Sequence, residues 1–182
     1  MKLDESILEQ LDLEAASVKE PVNVMRVDEA LAFLKECAER LQSKSEQYVT
    51  TKDADVRVDC IDIITARLND FTQAFKDIVI FLRQEEGTYK RGQRKPDSLR
   101  YCIVSYDTFN FRQSDDEKQF LKELLLRNEI THDYFNREIH QYKLVSMMEN
   151  CMGGAMDIYR HLYQYCSDGK LLEKFLDKGQ KT

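Results

Sequence analysis

Arg127, His132 and Tyr134 stand close together in the stretch Leu125-Leu126-Arg127-Asn128-Glu129-Ile130-Thr131-His132-Asp133-Tyr134-Phe135, where polar and charged residues interrupt two apolar patterns. A guanidinium, an imidazole and a phenol at this spacing suit phosphodiester chemistry. Cleavage of RNA needs a group to take the 2′-hydroxyl proton, one to protonate the leaving 5′-oxygen, and a cation over the charged phosphorane. A histidine ordinarily titrates at about 6.5, so His132 can serve as acid or base, and such help is worth about 10²–10⁴-fold. The guanidinium of Arg127 stays charged and can grip two phosphate oxygens at once. One histidine cannot be acid and base in the same instant, which calls for two copies of the site facing each other across a homodimer. The residues alone also allow a structural reading, with Arg127 capping a helix and His132 satisfied by Glu129 or Asp133.

The spacing Arg127-x-x-x-x-His132-x-Tyr134, with Asn128 after the arginine, resembles the R-x-x-x-x-H-x-Y signature of HEPN domains. Chance placement in a chain of 182 residues with three histidines and nine tyrosines predicts only about 0.01 occurrences. A second stretch, Arg67-Leu68-Asn69-Asp70-Phe71 through Ala74-Phe75-Lys76 and on to Gly87, resembles the second helix of nucleotidyltransferase substrate-binding partners. That family often has a glutamate and a tryptophan there, where this chain offers Asp70 and Phe75. The likeness spans residues 27 to 166. It implies a HEPN-like helical bundle and a metal-independent endoribonuclease toxin, with Arg127 and His132 catalytic and Asn128 supporting. It implies no cofactor, a homodimer, and a minimal nucleotidyltransferase antitoxin that adenylylates the Tyr134 hydroxyl. Two other readings remain open: a non-catalytic HEPN module that docks a nucleotidyltransferase or nucleotide, and a plain helical interaction protein.

Only six Gly and two Pro punctuate the sequence, which favours long helices over the many turns of a β domain. The expected fold is all-α, an antiparallel up-and-down bundle of four to five helices. Apolar residues at helical spacing predict a first helix from Val27 to about Thr50. A second, capped by Asp53 or Asp55, runs from Val56 through Leu82 to Gly87 and is about 45 Å long. A third covers about Asp97 to Asn110, and a fourth begins at Ser114 with the Ser-x-x-Glu spacing of a capping box to Glu117. The last runs from Tyr134 to Cys166, with Tyr142, Val145, Met148, Met152, Ala155, Tyr159 and Leu162 on its apolar side and a bend at Gly153 and Gly154. On a continuous helix Arg127 and His132 would lie about 140° apart, so a break is expected near Asn128 to Thr131. Residues 1–24 read as an arm or short helix, 25–168 as the bundle, and 169–182 as a tail with one more amphipathic turn or two in Leu171, Leu172, Phe175 and Leu176.

The opening residues lack the basic and then apolar regions of a secretory signal, and no stretch approaches the roughly 18 apolar residues of a membrane span. Five cysteines without a C-x-x-C pair suggest neither a disulfide framework nor a zinc knuckle, but reduced core thiols of a cytoplasmic protein. A net charge of −6 opposes general nucleic-acid binding, so any contact with RNA must be local. The concentrated basic stretch, Lys90, Arg91, Arg94 and Lys95 with Arg100, reads as a loop and offers RNA contacts. Tyr101, Tyr106, Phe109 and Phe111 read as core rather than as stacking platforms, and Met147, Met148 and Met152 as packing or a dimer seam. His140 and His161 read as ordinary surface or helix residues.

Overall fold

The computed structural model describes residues 24–88, 98–130 and 137–177. The elements follow one another as β1 (Val24–Arg26), α1 (Val27–Thr50), α2 (Ala54–Glu85), α3 (Leu99–Asp107), α4 (Asp115–Ile130), α5 (Arg137–Asn150), α6 (Gly154–Asp168) and β2 (Phe175–Asp177). The chain is mostly helical. No helix among the described residues is long and apolar enough to cross a membrane.

Helix α1 buries Val27, Ala30, Leu31, Leu34, Cys37, Ala38 and Leu41, a stripe of three- and four-residue steps, against α2 and α6. Only Thr51–Asp53 join α1 to α2, so two helices packed along each other must run antiparallel. Of the two expected caps it is Asp53 that begins α2, its carboxylate accepting from the backbone N–H of Asp55 at 2.9 Å and of Val56 at 3.3 Å. At 32 residues α2 is about 48 Å long. It ends at Gly87, whose φ of +68° suits a residue without Cβ. There Thr88 N–H reaches the Arg83 carbonyl and Gly87 N–H the Gln84 carbonyl, the paired bonds that close a helix. The core centres on Phe71, Phe75, Tyr106 and Phe120, with Phe71 edge-on to Phe120 at 5.4 Å and Phe75 edge-on to Tyr106 at 5.5 Å. All five cysteines are buried and free, and Met147, Met148 and Met152 pack in the same core.

Three expectations need correction. The helix proposed from Tyr134 to Cys166 is two helices: α5 stops at Asn150, Cys151–Gly153 turn, and α6 starts at Gly154. At this corner the backbones of α6 and α4 come together, since a Cβ on Gly154 would lie 2.5 Å from the Asp116 carbonyl oxygen and 2.8 Å from Glu117 Cα in α4. Tyr142, placed on the apolar side, is 75% exposed; Leu144 and Met147 hold the core positions. The tail forms no helical turn at Phe175–Leu176 but a strand, antiparallel to β1, that pairs Met25 with Leu176 and buries Leu176. Just before it, the Leu172 and Lys174 carbonyls accept from Asp28 and Val27 N–H, satisfying free donors at the start of α1. Residues 1–23, including the expected arm, lie outside the described residues.

The two glycines at the corner make opposite predictions. At Gly153 a Cβ would meet nothing nearer than Asp116 Oδ2 at 3.7 Å. Gly153, the N-cap of α6, has a φ of −59° that alanine adopts freely, so Gly153→Ala should hold or raise the urea midpoint, by up to about 1 kcal/mol through the lower entropy of the unfolded chain. Gly154→Ala lowers that entropy as well but must push α4 away, an overpacking cost of about 1–3 kcal/mol, and should lower the midpoint. Equal effects at the two positions would contradict the close approach.

Candidate functional site

Arg127 lies in the last turn of α4, three residues after Leu124 and seven after Phe120, both in the core. That register turns it inward, and it is only 8% exposed. Its Nη1 donates to Asn69 Oδ1 in α2 at 3.2 Å, across 58 residues of sequence. Burial lowers its affinity for the proton from the ordinary guanidinium range, yet the group keeps its charge in proteins. Asn69 is held beside Leu68, which is fully buried, while the neighbouring Asp70 turns to Arg67 at 3.0 Å and is not part of this contact. Asn128 is on the exposed side of α4.

One turn before Arg127, Glu123 is also 8% exposed. Its Oε1 accepts from Gln119 Nε2 at 2.8 Å, and its Oε2 lies 3.5 Å from Lys143 Nζ of α5. Residues four apart share a helix face, so an acidic and a basic side chain stand in succession along the buried side of α4. Helix α4 runs on to Ile130, the last described residue before Arg137, so the break expected near Asn128 to Thr131 falls at the end of α4 and extends beyond the described residues. His132 and Tyr134 lie outside the described residues, as do Lys90, Arg91, Arg94 and Lys95.

A second polar cluster escaped the sequence reading. Glu117 is fully buried, and its Oε1 accepts the Tyr106 hydroxyl at 2.5 Å and faces His161 Nδ1 at 3.1 Å. The capping box expected at Ser114 is thus only half formed: Ser114 Oγ accepts from Glu117 N–H at 3.1 Å, but the Glu117 carboxylate turns inward to α3 and α6. Likewise His161 is no ordinary surface residue, being stacked on Phe111 at 5.0 Å with the rings 2° from parallel. The available signal was Glu117 itself, which stands three and four residues before Phe120 and Leu121 in the apolar register of α4.

Burial pushes the Cys37 thiol up to about 11 and those of Cys151 and Cys166 up to about 12, so these stay protonated and poorly nucleophilic near neutrality. No group of three His, Cys, Asp or Glu residues among those described is arranged to hold a metal ion. A cleft of about 310 Å³ runs between Gln42, Glu46 and Val49 of α1, Asp116 of α4 and the corner at Cys151–Gly153, apart from both polar clusters.

Burial, and then the bond to Glu117, raises the Tyr106 hydroxyl well above its ordinary value. A raised group contributes stability that is fully present below its unfolded value, about 10 for tyrosine, and is lost as pH climbs through the folded value. Tyr106→Phe should lower the urea midpoint at pH 8 by an amount equivalent to about 1–3 kcal/mol, because Glu117 loses a donor. The gap to wild type should then narrow as pH passes about 10. A gap independent of pH would count against the buried hydroxyl.

Set beside known proteins, the chain matches no family model, no curated protein and no solved structure.

Proposed function

We propose that this chain is a HEPN-type, metal-independent endoribonuclease toxin, an antiparallel helical bundle acting as a homodimer in the cytoplasm and restrained by a nucleotidyltransferase antitoxin. The observation that carries the reading is the hydrogen bond from Arg127 to Asn69. It joins the two stretches on which the family resemblance rests, the Arg127–Tyr134 signature and the Arg67–Lys76 segment of α2. Two resemblances far apart in sequence gain weight when their residues touch, because a chance motif has no reason to meet its counterpart.

In this reading Asn69 fixes the guanidinium from behind, and Arg127 stabilises the charge that develops on the phosphorane. His132 of one copy takes the 2′-hydroxyl proton, and His132 of the other protonates the leaving 5′-oxygen. Asn128, exposed next to Arg127, supports the phosphate. Tyr134 is the residue the antitoxin adenylylates, which would set an anion over the catalytic pair, and Lys90, Arg91, Arg94 and Lys95 supply local attraction for RNA.

A second reading is a HEPN module that binds a nucleotidyltransferase without cutting RNA. The burial of Arg127 and the net charge of −6 favour it. A protein that grips a polyanion ordinarily exposes its cations.

Induced expression in a bacterial host separates the two. Under the first reading the wild-type chain arrests growth and fragments RNA, and His132→Ala lowers cleavage by about 10²–10⁴-fold. Asn69→Ala lowers it by about 10-fold or more through loss of orientation. If the wild type leaves growth and RNA untouched but still retains a nucleotidyltransferase partner, the binding module is correct.

A further inference from the structure

Glu117 is 0% exposed, and its Oε2 has no hydrogen-bond partner among the described residues. Taking a carboxylate out of water carries a large desolvation penalty that pairing seldom repays, and apolar side chains of similar volume usually serve stability as well. Where a core keeps such a group, the local rules have given way to another requirement, most often a functional one.

With Glu117 ionised, the Tyr106 hydroxyl donates its single proton to Oε1, so His161 Nδ1, 3.1 Å from that oxygen and 3.3 Å from the Tyr106 hydroxyl, approaches the pair as a donor. A neutral ring with its proton on Nδ1 carries a lone pair on Nε2. That nitrogen has no partner among the described residues and is not among their buried unpaired atoms, which are Arg83 Nε, Glu117 Oε2 and Glu123 Oε2, so it faces solvent. The His161 side chain is 27% exposed, and its plane is fixed by the parallel Phe111 ring. A buried carboxylate behind Nδ1 with Nε2 held outward is the arrangement that makes an imidazole a directed base and nucleophile.

We propose that His161 Nε2 accepts a phosphoryl group from a small activated donor such as an acyl phosphate, with Glu117 as its positioning residue. The Nε2 lone pair forms the bond to phosphorus, the bond from phosphorus to the acyl oxygen breaks, and the donor leaves as a carboxylate. The proton on Nδ1 stays in place, and Glu117 offsets the positive charge that the ring acquires. No redox partner is needed. A metal ion fits less well, since His161 has no second and third ligand arranged around it among the described residues. Asp157, one turn before His161 on α6, carries a negative charge on this face that its ion pair with the exposed Arg160 guanidinium at 3.0 Å offsets. The site shares no residue with the proposed ribonuclease centre and stands or falls separately from it.

The full chain incubated with acetyl phosphate should gain the mass of one phosphoryl group, in a linkage labile to acid and stable to alkali. His161→Gln should abolish the adduct, and Glu117→Gln should slow its formation about tenfold with the helical circular dichroism retained. Nitrogen–proton correlation NMR of the untouched wild type gives a check that depends on no variant folding, and should find the proton of neutral His161 on Nδ1. Absence of the adduct from the wild type, an adduct undiminished in His161→Gln, or a proton on Nε2 would each overturn the proposal.

Discussion

Helices α4 and α6 touch backbone to backbone where Gly154 meets Asp116 and Glu117, with no room for even a methyl group between them. Much of the rest follows from this approach. It lies at the corner where α5 ends, Cys151–Gly153 turn and α6 starts. It also fixes the first turn of α4, so that Glu117 points under His161 and toward Tyr106. Ten residues further along the same rigid helix, Arg127 is then delivered to Asn69 of α2.

Helix α4 is unusual in what it buries. Glu117, Glu123 and Arg127 all lie on the face that carries Phe120, Leu121 and Leu124 into the core. Each charge loses its hydration, and each is met by a partner from a different element: Tyr106 of α3 and His161 of α6, Lys143 of α5, and Asn69 of α2. Such pairing rarely stabilises a fold more than apolar packing would, but removal of one partner leaves an uncompensated group. The face is therefore intolerant of single substitutions in a way that α1, with its apolar stripe, is not.

The long helices were legible because their apolar residues recur without interruption over many turns. Leu31, Leu34, Ala38 and Leu41 in α1, and Ile64, Leu68, Phe71, Phe75 and Ile78 in α2, are core residues in the structure as the periodicity requires. The corner between α5 and α6 was less legible, since Met147, Cys151, Met152 and Ala155 continue an apolar pattern straight through it. The ribbon of Val24–Arg26 with Phe175–Asp177 was not legible at all, its strands being three residues long and at opposite ends of the domain. At the site, the inward turn of Arg127 follows from its spacing to Leu124 and Phe120, but its partner Asn69 lies 58 residues away and no local rule names it. The cluster at Glu117 was hidden for a similar reason, with its histidine 44 residues distant and its carboxylate already accounted for by an apparent capping box.

The central claim is that Arg127 and His132 form a metal-independent RNA-cleaving centre. Its most direct test is to incubate the purified chain with single-stranded RNA in the presence of a strong chelator and to analyse the ends of the products. The account predicts cutting that the chelator leaves unchanged, with 2′,3′-cyclic phosphate on one fragment and a 5′-hydroxyl on the other, as attack by the 2′-oxygen requires. Intact RNA, cleavage abolished by the chelator, or fragments bearing 5′-phosphate would contradict it.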